Sequence, residues 1–280
     1  KIFCKNFQWN QPLYLHGLNV NYGVGFRDHE EEFRKRIILS AIFIMQPIPL
    51  VNLAIAFIPV FVVIVIIWRW DMGYKASIYA IFRMIVQLLL IGYVLTYIFG
   101  TNSYSIVITI LIIMLLAASW ISLRTTSLPR KTLMLNAFFS IVIGGVAVLI
   151  IVTQGVLLID PWYSPHIVIP LAGMIFANCM NGISLAAERL ESELKQGKTY
   201  EEAKVVALRT SLIPITNMLL AVGIVSLPGM MTGQILSGVL PMIAVRYQVM
   251  VMCMLFGSTG ISVAVFLQSV RVQFTDKKSG

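Results

Sequence analysis

The segment Ser226–Gln234, SLPGMMTGQ, holds the densest set of groups able to contact a cargo. Met230 and Met231 carry soft thioethers, and Thr232 and Gln234 add oxygen donors, so together they could ligate a metal. Methionine is equally an adaptable packing residue, and Gly229 and Gly233 form a GxxxG step that lets helices approach closely. A second set is Arg83 and Gln87, one helical turn apart and so on one face. An ionisable group at membrane depth is costly and marks a functional site by default. The pair either lines a path for an anionic or chelated cargo, or Arg83 snorkels to the headgroups. Arg246 divides the same way. The amides Asn178, Asn181 and Asn217 either touch cargo or join helices by hydrogen bonds.

Other chemistries are excluded or weak. Gly197, Lys198 and Thr199 spell the end of a phosphate-binding loop, but Ser192 stands where that motif needs glycine, and a helix precedes it instead of a strand. Neither HExxH nor GxSxG occurs, so no catalytic site is expected in this chain. Cys4, Cys179 and Cys253 have no paired spacing, which speaks against a disulfide framework or a zinc site. The acidic run Asp28 to Glu32 either catches a cation or is simply solvated, and Asp160 with His166 is similarly thin evidence.

The elements that must hold these residues are membrane helices. The chain has 280 residues, 58% of them hydrophobic and 12% charged, with a mean hydropathy of +0.86. A net charge of +9 would suit nucleic acid, but the basic residues sit in short segments between apolar runs, where membrane topology explains them. A span needs about 20 apolar residues. That criterion places spans at Leu50–Trp68, Ala76–Phe99, Tyr104–Leu123, Leu133–Ile159, Ile167–Ala187 and Ile243–Gln268. The stretch Leu212–Leu240, interrupted by Pro214, Pro228, Gly229 and Gly233, reads as one broken crossing, tolerated where it is buried in protein or lines a cavity. The expectation is an all-α, polytopic transmembrane bundle of about seven spans.

Lys and Arg fall in alternate loops, with Arg69, Lys75, Arg124, Arg130 and Lys131 first, then Arg189 to Arg209, and Arg271, Lys277 and Lys278 last. The positive-inside rule puts these in the cytoplasm and, with seven spans, the N-terminus outside. The cluster Arg34, Lys35 and Arg36 opposes that placement. Ile37 to Gln46 is too short to span and reads as interfacial. Residues 1–49 are then an extracytoplasmic or interfacial extension, 50–270 a membrane domain, and 271–280 a cytoplasmic tail. Within the membrane domain, 188–211 is a cytoplasmic loop of two short charged helices joined at Gln196 and Gly197. Thr199 and Glu202 form a capping box for the second. Its stripe Val205, Val206 and Leu208 beside Glu201, Glu202, Lys204 and Arg209 suits docking into a partner's groove, or lying on the membrane surface.

Three segments, RMIVQLLLIGYVLTYIF at Arg83–Phe99, IPLAGMIFANCMNG at Ile169–Gly182, and Ala207–Val251 with its VSLPGMMTGQI, carry a resemblance. From Trp70 onward the chain resembles the FetB-like permeases, membrane subunits of ABC transporters that include bacterial iron-export proteins and plant aluminium-tolerance proteins. The resemblance implies a homodimeric permease in a bacterial inner membrane, working with a separate cytoplasmic ATPase that holds the ATP and Mg. This chain itself would bind no cofactor. It further implies that Gly197, Tyr200, Glu201, Glu202, Ala203, Val206, Arg209 and Thr210 form the ATPase-docking helix. Gly197 and Glu201 to Ala203 are similar to an importer signature whose spacing they do not keep, so direction is not carried over. The path or gate would comprise Arg83, Gln87, Asn181, Asn217, Pro228, Gly229, Met230, Met231 and Gln234, with Met230 and Met231 as metal ligands. Two other readings are a secondary transporter, which would need a carboxylate at membrane depth, and a membrane scaffold, which leaves the clustered proline, glycine and amide residues without a role.

Overall fold

Long apolar runs with few breakers can satisfy their backbone only within helices once in lipid. The computed structural model, which describes residues 49–71, 73–99, 103–127 and 130–275, is accordingly helical, with no strand among the described residues. Seven helices are long and apolar enough to cross a membrane. They are α1 (Val51–Arg69, with a turn at Ala56 and Phe57), α2 (Tyr74–Phe99), α3 (Tyr104–Ser122), α4 (Arg130–Val156), α5 (Pro165–Lys195), α6 (Tyr200–Ala221) and α8 (Pro241–Ser269). Two short helices complete the described residues, α7 (Gly229–Leu236) and α9 (Arg271–Thr275). The acidic run Asp28–Glu32, the Arg34–Arg36 cluster, Ile37–Gln46, Cys4, Lys277 and Lys278 lie outside the described residues.

Contacts between helix ends fix the direction of each crossing. Asn136 near the start of α4 donates to the Ser269 carbonyl at the end of α8 at 2.9 Å. Ser184 donates to the Ser122 carbonyl at 2.7 Å, tying the end of α3 to the later part of α5. At the opposite end, Tyr104 meets Tyr163 with ring centroids 6.3 Å apart. Helices α3, α5 and α8 therefore run one way, and α4 and α6 the other. The basic residues from Arg124 to Arg209 collect at the end marked by Ser122 and Ser269, the end that the positive-inside rule expects to face the cytoplasm.

The core forms around α5, whose Ala172, Ile175, Cys179, Ile183, Ala186, Ala187 and Leu190 are all fully buried. Small residues let α8 lie close on both sides. A Cβ on Gly144 of α4 would stand 2.5 Å from the Ser262 backbone nitrogen, and one on Gly182 of α5 would stand 2.7 Å from the Thr259 methyl. In lipid no hydrophobic force pulls helices together, so this close packing supplies much of their attraction. Gly144 also lies in the first of two π-helical stretches of α4, Val142–Val146 and Ile151–Val156. Helices α1 and α2, by contrast, present broad exposed apolar surface, as lipid-facing helices do.

Two expectations change. The region 188–211 is not a loop of two short helices, because α5 continues through Lys195 and α6 starts at Tyr200, leaving only Gln196–Thr199 between them. At 1.5 Å per residue, 31-residue α5 is about 46 Å long against a hydrocarbon core of about 30 Å. The charged turns are simply the part that outruns the bilayer. Pro214 does not break the following segment, since α6 runs through it to Ala221. A proline leaves one carbonyl, here that of Thr210, without its helical donor, and α6 keeps the rest of its ladder while packed on α5 and α8. The break comes at Val222, which is extended, and at Gly223, whose φ of +83° only glycine adopts without strain. The seventh crossing is thus α6 alone, and α7 is a separate short helix at the outer end.

Candidate functional site

The basic end of the bundle is built around one buried carboxylate. Glu193 is fully buried near the end of α5 and pairs with Arg189 one turn back and with Lys198 across the turn. A buried charge needs such partners. The turn itself requires Gly197, at φ +90°. Two residues before Glu193, Glu191 pairs with Lys195 at 2.7 Å and accepts from the Ser127 amide at 2.9 Å, joining the hairpin to the loop after α3. The capping box is present, with the Thr199 amide donating to Glu202 at 3.0 Å and the Glu202 amide to the Thr199 hydroxyl at 3.4 Å. Arg271 reaches Glu201 at 3.5 Å. The result is a stiff helical hairpin projecting beyond the membrane.

The expected docking residues divide. Tyr200 and Ala203 face inward and are buried, with the Tyr200 hydroxyl donating to the Leu267 carbonyl. Both positions fall on the stripe Ala203, Ala207 and Ser211 that packs against the bundle, so neither offers a surface to a partner. Gly197, Glu201, Glu202 and Arg209 are exposed, and Val206 and Thr210 partly so. Val205, 63% exposed, is the exposed large apolar side chain in the first three turns of α6.

At the outer end lies a cavity of about 790 Å³ between the loop after α4, the first turns of α5, helix α7 and the first turns of α8. Its walls carry Ile167, Leu171, Leu240 and Ile243, and three thioethers, Met174, Met230 and Met250, each from a different helix. Its polar groups are Asp160, Ser164 and His166 from the loop and the start of α5, Gln234 of α7 and Tyr247 of α8. The Gln234 side-chain oxygen is buried and has no hydrogen-bond partner. Among the described residues, no three His, Cys, Asp or Glu converge on one point.

The expected path residues also divide. Met230 and Gln234 line the cavity, and Pro228 and Gly229 start the helix that holds them. Met231 does not line it. Arg83 and Gln87 lie exposed on α2, away from the cavity, and turning the Gln87 amide over brings its oxygen to 3.1 Å from Arg83 Nε. Asn181 and Asn217 are exposed on α5 and α6, and Asn178 donates to the Met174 carbonyl of its own helix at 2.9 Å. Sequence reasoning missed Met174, Tyr247 and Met250, which look like ordinary span residues until three helices converge. It also missed Gln248, which is buried on α8 with neither amide atom hydrogen-bonded and is legible only as one amide in an apolar run.

Comparison with known proteins extends the pattern. Residues 50–274 match the family described as "Uncharacterised protein family (UPF0014)". The chain is 34% identical over 209 residues to the "UPF0014 membrane protein slr1647" of Synechocystis, covering 69% of this chain and 80% of that one. It is 30% identical over 228 residues to the "Probable iron export permease protein FetB" of Escherichia coli, covering 75% and 86%. It is 29% identical over 231 residues to "Protein ALUMINUM SENSITIVE 3" of Arabidopsis thaliana, covering 76% and 82%. No solved structure is significantly similar to it. A family match over nearly all the described helices, joined to seven apolar helices, makes this chain a multi-pass integral membrane protein of the UPF0014 family.

Proposed function

We propose that the chain is the permease subunit of an ABC transporter, working as a homodimer with a separate cytoplasmic ATPase to export a metal ion or metal complex. It supplies no catalytic site and no nucleotide site of its own, and ATP and Mg belong to the ATPase. The observation that carries this reading is the continuity of α6. One 22-residue helix, about 33 Å long, starts at the exposed, capped turn beside Lys198 and ends at Ala221, where the turn to α7 and the outer cavity begins. Force applied at the cytoplasmic hairpin therefore reaches, through one helix, the turn that leads into α7, a wall of the cavity. The buried Glu193 ion pairs keep the hairpin from yielding first. Val205, Glu201, Glu202 and Arg209 are the docking surface, an apolar contact ringed by charge.

The iron and aluminium names of relatives support a metal cargo. A secondary transporter is less well supported. Acidic residues among the described ones are Asp71, Asp160, Glu188, Glu191, Glu193, Glu201 and Glu202, all outside the helices or within about two turns of a helix end, and none in the middle of a span to couple an ion. The test is capture of the complex from solubilised membranes. The wild-type chain should bring down a cytoplasmic ATPase, and Arg209→Glu and Val205→Asp should lose it while eluting at the same size. Equal recovery with all three chains would refute the docking surface.

A further inference from the structure

The outer cavity has a polarity axis that the transport reading leaves unused. Asp160, Ser164 and His166 sit in the loop and at the first turn of α5, at the level where helices leave the membrane. Met174 is nine residues further along α5, and Met250 nine residues along α8 from Pro241. At 1.5 Å per residue both lie about 13 Å deeper. The loop and the start of α5 therefore bring polar groups to the cavity's mouth, and the Met174 and Met250 thioethers stand deeper. Its volume of about 790 Å³ lies within the range of small-molecule sites, roughly 300–1,000 Å³. A water-sized ligand occupies about 30 Å³, so a single ion would leave most of the apolar wall without contacts.

From this geometry we infer that the cavity binds an amphipathic organic molecule. Its apolar body lies against Met174, Met230 and Met250, and its hydrogen-bond-donating head is held by Gln234 near the Asp160–His166 mouth. Three features select that class. The walls are mainly aliphatic, and methionine adapts its shape to varied apolar surfaces. The buried Gln234 oxygen has no hydrogen-bond partner and accepts only from a donor, such as an amine or hydroxyl, and leaving it unmatched is costly. Hard cations such as iron favour several anionic oxygen ligands, and Asp160 is the one carboxylate among the side chains that line the cavity. The inference deepens the transport reading by naming its cargo class, and rests on that reading only in calling the occupant a cargo.

Binding is tested on the whole chain alone, in lipid nanodiscs, with no ATPase present, so its failure is distinct from failure of ATPase capture. The probe is a long-chain primary amine carrying a photoactivatable diazirine in mid-chain, and its methyl-ester analogue, which lacks a donor, is the control. Labelled peptides should come from the first turns of α5, from α7 and from the first turns of α8. Met174→Trp, which fills the floor, should abolish that labelling. Gln234→Leu, close in volume and needing no repacking of the bundle, should reduce amine labelling about fivefold, the worth of one hydrogen bond, down to that of the ester. Ferrous ion alone should not compete. Phosphatidylethanolamine nanodiscs, whose lipid carries an amine, should suppress the label if the natural occupant is a membrane lipid. Equal labelling in phosphatidylethanolamine and phosphatidylcholine would instead identify a free amphiphile, and both results uphold the class. Labelling spread evenly over α1 and α2 and unchanged in both variants would overturn the inference, as would displacement of the amine by ferrous ion.

Discussion

Gly144→Ala tests the packing on which any coupled motion must rest. The added methyl carbon would sit 2.3 Å from the Ser262 hydroxyl, 2.5 Å from the Ser262 backbone nitrogen and 2.9 Å from the Ser258 carbonyl oxygen. Rotation of Ser262 relieves the first contact, but the other two involve backbone. Ordinary contact distance is about 3.5 Å, so α8 must move away from α4 by about 1 Å. Overpacking costs about 1–3 kcal/mol, and a clash with backbone belongs at the upper end of that range. Glycine to alanine in a helix returns about 1 kcal/mol of propensity, which leaves a net loss of about 2 kcal/mol. For a chain of this size that corresponds to a melting temperature lower by roughly 4–8 °C, measured in one detergent by thermal unfolding. Gly257→Ala on α8 is the matched control, because a Cβ there meets nothing within 4 Å. It should be neutral or slightly stabilising. Ser262→Ala combined with Gly144→Ala should recover only part of the loss, since the backbone contacts remain. If Gly144→Ala melts with Gly257→Ala, close α4–α8 contact is not what holds the bundle.

Two further outcomes bear on the ends of the bundle. Glu193→Gln removes the charge shared by Arg189 and Lys198 while keeping the side chain's size, so the hairpin should loosen. Limited proteolysis should then cut faster between Gln196 and Thr199, with less ATPase captured, and unchanged proteolysis would show that the pairing does not stiffen the turn. Met230→Leu and Met231→Leu are alike in volume, but only Met230 faces the outer cavity. The first should change cargo selectivity in cells challenged with metals and the second should not, and equal effects would detach selectivity from the cavity.

Local signals were legible without coordinates where they depend on neighbours in the chain. Runs of apolar residues long enough to cross a bilayer locate the spans because length and hydropathy are local properties. The Thr199–Glu202 cap is a four-residue pattern and forms as read. Pro214 and Gly223 show the limit. A proline's effect on a helix depends on whether surrounding packing absorbs a missing hydrogen bond, and α6 passes through it. Gly223 ends α6 because its backbone turns left-handed, a choice made by the path that must return to α8. The charged stretch after Ala187 was readable as helical, but only its continuity with α5 and α6 turns a loop into a lever.

What the amino-acid sequence determined by itself is therefore the class, an all-helical membrane protein with its basic residues at one end. Hydrophobic length and charge bias act residue by residue along the chain. Only the tertiary structure decided which side chains share a space. Met174, Met230 and Met250, far apart in sequence, meet in one cavity, while adjacent Met231 does not take part. Tyr200 and Ala203 turn inward while Val205 turns out. Helix phase and the closeness allowed by Gly144 and Gly182 set those placements, and both arise from contacts between segments that no local pattern encodes.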